Sequence, residues 1–196
     1  MYFYIAHSFK ILSKLLKIIL SILPQIWFCC VWLIISEEAR DKYLNLCVPL
    51  YNAALKRDWE SAKKIIAQEE TLLTTSISTG GLSVLHLAAG SDCAHFVSHL
   101  VGRMKSEDLE LCDKKGNTAL CFAAAAGTVQ VARILLGTNE KLATMRGGHG
   151  MTPLYMAALF GKSDMAWYLY DKTKESCDDG DRSGIFFSCI YTGIYG

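Results

Sequence analysis

The residues best suited to chemistry in this sequence are two histidines, His95 and His99, four positions apart and shortly after Cys93. On a helix this spacing places two imidazoles on one face, where both can bind one metal ion. The sequence offers no third ligand beside them, and His95 aligns with polar residues in comparable segments of the chain, which indicates a solvated face. We therefore predict no metal site and no cofactor.

Two further stretches share some features with ligand-binding loops. The glycine-rich residues 147–150 lack the preceding strand and the following lysine of a phosphate loop, so we predict a turn there. The acidic residues 178–181 lack the alternating ligands and the distal glutamate of a calcium loop, so we predict a linker. No Ser, Cys or Lys nucleophile has an identifiable base beside it, and we predict that the protein is not an enzyme.

Composition narrows the classes of partner. The 196-residue chain has a net charge of +1. Its first 36 residues hold three lysines and no acid, which leaves 17 basic against 19 acidic residues, or −2, for the remainder. No basic face is available, so we predict no nucleic-acid partner. The eight cysteines form no Cys-x-x-Cys pair, and neither a disulfide framework nor a zinc site is indicated.

Residues 114–136 have the pattern of a helix, a turn and a second helix. Thr118 is a candidate N-cap for a helix over residues 119–126, and Gly127 ends that helix. An apolar stripe at helical spacing follows and includes Leu135. Two thin helices cannot bury an apolar face alone, so this unit needs a neighbour on each side.

The same unit occurs four times in total, and we call residues at equivalent positions of the repeats a column. The leucine after the cap is spaced by 35, 35 and 34 residues. The columns are the leucines Leu50, Leu85, Leu120 and Leu154; the alanine pairs 53–54, 88–89, 123–124 and 157–158; the apolar residues Ile65, Leu100, Leu135 and Leu169; and the caps Val48, Ser83, Thr118 and Thr152. The pattern predicts an all-α solenoid of stacked helix-turn-helix units.

These residues resemble the ankyrin repeat. Residues 150–158, GMTPLYMAA, and residues 81–89, GLSVLHLAA, follow its G-x-T-P-L-H-x-A-A motif, and His86 supplies the histidine. Tyr51, Cys121 and Tyr155 replace that histidine elsewhere, so the usual inter-repeat hydrogen bond is not expected there. The irregular spacers and the stretch 48–66 are also similar to the plant ankyrin-transmembrane family, which implies a membrane-associated signalling adaptor of plant defence or stress responses.

We predict three regions. Residues 46–174 form an ankyrin array of four repeats, in which Trp59 is partly buried. Residues 175–196 form a flexible acidic linker and a truncated fifth repeat, whose first helix covers residues 185–192 with Phe186 in the leucine column. An array ending there leaves an apolar face uncovered, which suggests either a truncated product or a partner that caps it.

Residues 1–36 are a hydrophobic segment and a candidate membrane anchor. Residues 18–35 carry no charge and would span roughly 27 Å as a helix, just under a hydrocarbon core of about 30 Å. No small-residue cleavage site follows, which favours a retained anchor over a signal peptide. The alternatives are an apolar helix that caps the array, or an extension produced by a mistaken start codon.

The location of the array follows from weaker signals. Three lysines before the apolar run and two basic residues just after it favour a cytoplasmic N-terminus, which would place the array outside. The array has no N-glycosylation sequon and its cysteines are unpaired, both of which suit the cytosol. We predict a membrane-associated protein with its array in the cytosol, on an imperfectly spanning or re-entrant anchor, with the plasma membrane as one candidate location.

The resemblance also implies a binding surface. In ankyrin repeats, partners are met by residues that flank the turn glycine and by the pair between Ala-Ala and the next glycine. Here these positions are Lys56, Leu82, Ser91, Lys114, Lys115, Asn117, His149, Met151, Leu159 and Phe160. We expect Leu159 and Phe160 to be central contacts and the two adjacent lysines to lie at the rim; the alternative is that the apolar members only cover the spacers.

Two functions fit these observations. The first is a protein-interaction scaffold that offers the concave surface of the array to a partner. The second is an assembly or gating subunit of a membrane transport or channel complex. A second hydrophobic span would favour the second function, and the sequence contains none, so we favour the scaffold.

Overall fold

The computed structural model describes residues 37–194. These residues belong to two compact units, residues 37–43 to the first and residues 44–194 to the second. In the first unit the described part is helix α1, Glu37–Lys42. The predicted hydrophobic segment 1–36, with its membrane-binding part 18–35, lies outside the described residues. Among the helices of residues 37–194, none combines the length and apolar character needed to cross a membrane.

Every regular element among residues 37–194 is helical. The α-helices of the second unit are α2 Val48–Leu55, α3 Trp59–Gln68, α4 Val84–Gly90, α5 Ala94–Val101, α6 Ala119–Ala126, α7 Val129–Thr138, α8 Pro153–Leu159, α9 Ser163–Thr173 and α10 Asp179–Thr192. Short 3-10 helices lie at Glu70–Leu73, Ser106–Glu110, Glu140–Ala143, Gly148–Gly150 and Lys174–Ser176, and a π-helical turn, Tyr43–Cys47, precedes α2.

Four helix pairs stack side by side, as the all-α solenoid prediction requires. The pairs are α2 with α3, α4 with α5, α6 with α7, and α8 with α9. The first helices α2, α4, α6, α8 and α10 each pack on the next, and among the second helices α7 packs on α5 and on α9. Each repeat therefore gains its core from its neighbours.

The leucine and alanine columns form this core. The four leucines of the column are at most 2% exposed, and Ala54, Ala88, Ala124 and Ala158 are fully buried. Burying each leucine stabilises the fold by about 1.5–3 kcal/mol. Alanine in the neighbouring column lets successive first helices approach closely. A larger side chain at Ala124 would overpack this junction.

The first repeat departs from two column assignments. Val48 does not cap α2 but lies in its first turn, because the π-helical turn continues the helical backbone into it. Ile65 is half-buried, and its neighbour Ile66 is fully buried in its place. Trp59 is more buried than predicted, with 8% exposure, and its ring packs edge-on against Phe96 with centroids 5.4 Å apart.

The predicted acidic linker is also different in the structure. Residues 179–192 form one helix, α10, which is longer than the predicted helix 185–192 and packs on α8. The Asp178 carboxylate caps it by accepting a 2.7 Å hydrogen bond from the Asp181 N–H. The Arg146 guanidinium then donates two 2.8 Å bonds to the Asp181 carboxylate. These interactions fix a stretch that its composition alone suggests is flexible.

Candidate interaction surface

The loops between the repeats fold into three tight turns that we call fingers: residues 77–82, 113–117 and 147–151. Each is closed by one backbone hydrogen bond between its ends, with lengths of 2.8, 2.9 and 2.8 Å respectively. Gly81, Gly116 and Gly150 adopt positive φ in them, a conformation that costs glycine little. The fingers carry six of the ten predicted contact residues.

Neighbouring fingers are bonded to each other. The Lys114 N–H donates to the Gly80 carbonyl at 3.0 Å, and the Gly148 N–H donates to the Asn117 side-chain oxygen at 2.8 Å. At Gly81 a Cβ would lie 2.8 Å from the Lys114 nitrogen, so only glycine allows this approach of two backbones. The fingers therefore form one continuous edge of the array.

Asn117 is a structural residue of this edge. Its N–H and its side-chain amide both donate to the Asp113 carboxylate, at 2.8 and 3.1 Å. Burial raises the pKa of Asp113, but the hydrogen bonds from Asn117 outweigh it and leave that pKa below its usual value. Asn117 thus holds its own finger together and, through Gly148, joins it to the next.

His86 makes the inter-repeat hydrogen bond expected of its motif. The side chain is 1% exposed, and its Nδ1 accepts a 3.1 Å bond from the Ser83 N–H. Nε2 therefore carries the proton and donates to the Asn117 carbonyl of the next repeat at 3.0 Å. Burial lowers the pKa of His86, so the folded state favours the neutral ring.

The later repeats are joined to each other by other hydrogen bonds and by an ion pair. Cys121 takes the place of the histidine, and its sulfur lies 3.5 Å from the Thr118 hydroxyl of its own repeat. Burial raises the pKa of this thiol, which keeps it protonated and poorly reactive. The bond from Gly148 to Asn117 joins repeats three and four instead. The pair formed by Arg146 and Asp181 joins repeat four to α10.

The ten predicted contact residues divide into two groups. Lys56, Lys114, Lys115, His149, Leu159 and Phe160 are exposed, and Leu82, Ser91, Asn117 and Met151 are half-buried. Leu82 and Met151 do not meet the exposure that a partner-binding role requires, because both are half-buried and pack against the core. Ser91 donates to the Leu87 carbonyl at 2.7 Å and so has a structural hydrogen bond.

Leu159 and Phe160 remain as an exposed apolar pair. Leu159 is the last residue of α8, the first helix of repeat four, and Phe160 follows it as the C-cap; the two side chains are 41% and 57% exposed. Ala157 and Ala158, immediately before them, are fully buried. The core of repeat four is thus complete without the exposed pair, which leaves the pair available to a partner.

A second exposed apolar set lies on α9 and α10, where the sequence predicts an uncovered apolar face but does not identify Trp167 and Tyr170 as part of it. Trp167 and Tyr170 are 57% and 46% exposed, and Phe186 and Phe187 are 60% and 67% exposed. Phe186 had been placed in the leucine column, and that position is buried in every complete repeat.

The two candidate metal ligands come together without a third. The Nε2 atoms of His95 and His99 lie 3.0 Å apart on the exposed face of α5, and His99 stacks on Trp59 with ring centroids 4.8 Å apart. Among residues 37–194, no group of three or more His, Cys, Asp or Glu side chains could hold a metal ion.

Comparisons with known proteins agree with this architecture. The chain is 42% identical to the protein fem-1 homolog A of Bos taurus over 55 residues, which cover 28% of this chain and 8% of that protein. It is 40% identical to the Rattus norvegicus protein fem-1 homolog A over 70 residues, 36% of this chain and 10% of the relative. Alpha-latrotoxin-Lg1a of Latrodectus geometricus is 24% identical over 150 residues, 74% of this chain and 11% of the toxin.

The chain thus spans about a tenth of the length of these relatives. A family model described as ankyrin repeats in three copies matches residues 50–143 and again residues 85–181, which together make up more than half of the sequence. The matched residues contain the fingers and the four helix pairs, except for the first two residues of α2. The chain therefore belongs to the ankyrin repeat family.

Proposed function

We propose that this protein is an interaction scaffold that binds a partner protein along its fingers and first helices, with Leu159 and Phe160 at the centre of the contact. The observation that carries the proposal is the exposure of this pair beside a column of buried alanines. Exposed apolar side chains that the core does not need are typical of interaction sites. Aromatic side chains such as Phe160 often supply much of the binding energy.

The neighbouring fingers would supply the polar rim of this surface. Lys114 and Lys115 are exposed on the finger 113–117, and His149 is exposed on the finger 147–151. Charges at a rim act more on the rate of association than on the final affinity. A partner that presents acidic side chains opposite the lysines would therefore bind faster at low salt.

We further propose that residues 18–35 attach this scaffold to a membrane, with the array in the cytosol and the plasma membrane as one candidate location. The support is the uncharged run of 18 residues with three lysines before it. Similarity to the plant ankyrin-transmembrane family suggests that the scaffold acts in defence or stress signalling.

Substitution of Phe160 tests the binding surface. Phe160→Ala should weaken capture of the partner by about 2 kcal/mol, because it removes a central apolar contact. The helical content and melting temperature should stay unchanged, since the side chain is exposed. Leu44→Ala is a matched control, because Leu44 is 47% exposed before the first repeat. Normal binding together with early unfolding of Phe160→Ala would show that Phe160 serves the core.

Fractionation tests the membrane attachment. A reporter fused to residues 1–45 should pellet with membranes and resist extraction by high salt and carbonate. A version with acidic residues placed within 18–35 is the control, because charges in the apolar run oppose insertion. Recovery of the first fusion in the soluble fraction would remove the attachment from the proposal.

A further inference from the structure

Two histidine rings are in contact on the exposed face of α5. The Nε2 atoms of His95 and His99 lie 3.0 Å apart, and the ring planes are inclined by 82° with centroids 4.4 Å apart. Residues four positions apart on a helix are neighbours on its surface, which brings the two imidazoles together. Both side chains are exposed, so ions from solution can reach the pair.

Packing against the core fixes the orientation of one of these rings. The His99 ring stacks on the indole of Trp59 in α3, with centroids 4.8 Å apart and planes inclined by 10°. Trp59 is 8% exposed, and its edge-on contact with Phe96 holds the indole in place. A side chain that is already ordered loses less conformational entropy when it binds a ligand. The structure therefore prepares His99 for binding.

The distance between the two nitrogens fits one kind of metal coordination. Imidazole nitrogens bind transition-metal ions at about 2.0–2.1 Å. Two nitrogens 3.0 Å apart that bind one ion would therefore subtend an angle of about 90–100° at that ion. Adjacent ligands of a square-planar or octahedral ion meet at about 90°, whereas tetrahedral ligands meet at about 109°. The spacing favours square-planar or octahedral coordination over tetrahedral coordination.

Neutral imidazoles can supply both lone pairs. In the hydrogen bond between the rings, one Nε2 carries a proton and donates it to the other. A neutral imidazole has a second tautomer, in which Nδ1 carries the proton and Nε2 is free to bind a metal ion. Coordination therefore requires one ring to move its proton from Nε2 to Nδ1. Two bonds from nitrogen to the metal then replace the hydrogen bond between the rings.

The sequence predicts no metal site here because it offers no third ligand, and among residues 37–194 no third His, Cys, Asp or Glu side chain joins the pair. Two histidines at this spacing on a helix can nevertheless bind one ion, and water can occupy the open positions of its coordination sphere. We infer that His95 and His99 chelate one divalent transition-metal ion that accepts imidazole in square-planar or octahedral geometry, such as Ni²⁺ or Cu²⁺.

The bound ion would stabilise the junction between repeats one and two. It would join two turns of α5, and His99 in turn stacks on Trp59 of α3. An ion that binds the folded pair and not the unfolded chain stabilises the folded state. The site lies on a second helix, whereas the proposed partner surface uses the fingers and the first helices. The inference therefore does not depend on the proposed role of Phe160.

Calorimetric titration with Ni²⁺ tests the site. The full chain is first stripped of metal with a chelator, and a phosphine keeps its cysteines reduced. We expect saturable binding of a single Ni²⁺ ion per chain and no binding of Mg²⁺, which prefers oxygen ligands. The melting temperature should rise with the concentration of Ni²⁺, because the ion binds the folded state.

Histidine variants locate the bound ion. His95→Gln and His99→Gln should each weaken binding of Ni²⁺ at least about tenfold, because loss of even an outer-shell partner of a metal ligand commonly costs that much. His149→Gln is the matched control and should bind as the unchanged chain does, since His149 is exposed on a finger. Glutamine is a good helix former, so circular dichroism should show that all three variants keep their helices.

Two results would overturn the inference. The first is a failure of the unchanged chain to show saturable binding of Ni²⁺. The second is binding of undiminished affinity in either His95→Gln or His99→Gln, which would place the ion on other side chains such as the exposed thiol of Cys112.

Discussion

Two junctions of the array can be compared: the one between repeats two and three, and the one between repeat four and α10. Both stack one first helix on another, but different side-chain interactions join them. In the first, His86 donates to a backbone carbonyl, an acceptor that any residue at position 117 would supply. In the second, Arg146 binds the Asp181 carboxylate through two nitrogens, which requires one particular side chain. The same stacking of helices can therefore be held by a hydrogen bond to a backbone carbonyl or by an ion pair between two particular side chains.

The two regions also differ in how they bury the same column. Leu120 is fully buried between α6 and its neighbours, whereas Phe186, its counterpart in α10, is 60% exposed. In a repeat array, the burial of a side chain depends on the helix that covers it as much as on the residue type. The comparison predicts large effects of substitution in the centre and small ones at α10.

The largest effect is expected at the centre. Leu120→Ala should lower the free energy of unfolding by about 2–5 kcal/mol, because it leaves a cavity in a fully packed position. Urea denaturation followed by circular dichroism would measure this. A loss below about 1 kcal/mol would mean that the central junction is as loosely covered as α10.

A smaller effect on stability is expected for the pair formed by Arg146 and Asp181. Asp181→Asn should cost about 1–2 kcal/mol, since it removes the charge from a pair whose arginine is half-exposed. The loss should be confined to α10 and would appear as faster amide exchange there than in α6. Asp179→Asn is the control, because the Asp179 side chain is fully exposed. Equal amide exchange in the two variants would argue against a stabilising role of the pair formed by Arg146 and Asp181.

The pair formed by Arg146 and Asp181 is expected to make the stability of the fold depend on pH. The hydrogen bond from Arg146 holds the pKa of Asp181 below its usual value of 3.8. Its contribution to stability is therefore present above that value and is lost as the pH falls through the lowered pKa of the folded state. This loss of stability occurs at a pH well below the range in which histidine titrates. The contributions of the Arg146–Asp181 pair and of the His86 hydrogen bond can therefore be separated by pH.

The histidine link should weaken first on acidification. Burial lowers the pKa of His86 below 6.5, so the stabilisation due to the neutral ring is present above 6.5 and is lost as the pH falls through the lowered pKa. The melting temperature should therefore fall as the pH is lowered below about 6.5. His86→Gln should reduce this fall, whereas His149→Gln, at an exposed finger, should leave it unchanged.

The smallest effect on stability is expected at Phe186. Phe186→Ala should change the free energy of unfolding by no more than about 0.5 kcal/mol, because the side chain is mostly in solvent. Urea denaturation beside Leu120→Ala would compare the two members of one column directly. A cost similar to that of Leu120→Ala would show that Phe186 is covered as closely as Leu120.

Periodicity predicted the central part of the fold well. The predicted helix over residues 119–126 is present as α6, because its leucine and alanine columns meet neighbours on both sides. Local composition failed where a distant residue decides the structure. Residues 178–184 include two glycines and three aspartates and read as a linker, but Arg146, more than 30 positions earlier, fixes the start of α10.

The candidate surface was only partly predictable for a related reason. The motif correctly marked Leu159 and Phe160 as exposed, since both follow the alanine column at the end of α8. It could not show that Leu82 and Met151 turn back onto the core, because that depends on how each finger closes. The structural role of Asn117 required the position of the next finger.

Gly81 limits how this array can change by recombination. Its backbone lies so close to Lys114 that a side chain at position 81 would displace the following finger. Replacement of repeat two by another unit would therefore succeed more readily when that unit keeps a glycine at this position. Helices from different units could be interchanged, but a unit without that glycine would interrupt the continuous edge that the fingers form.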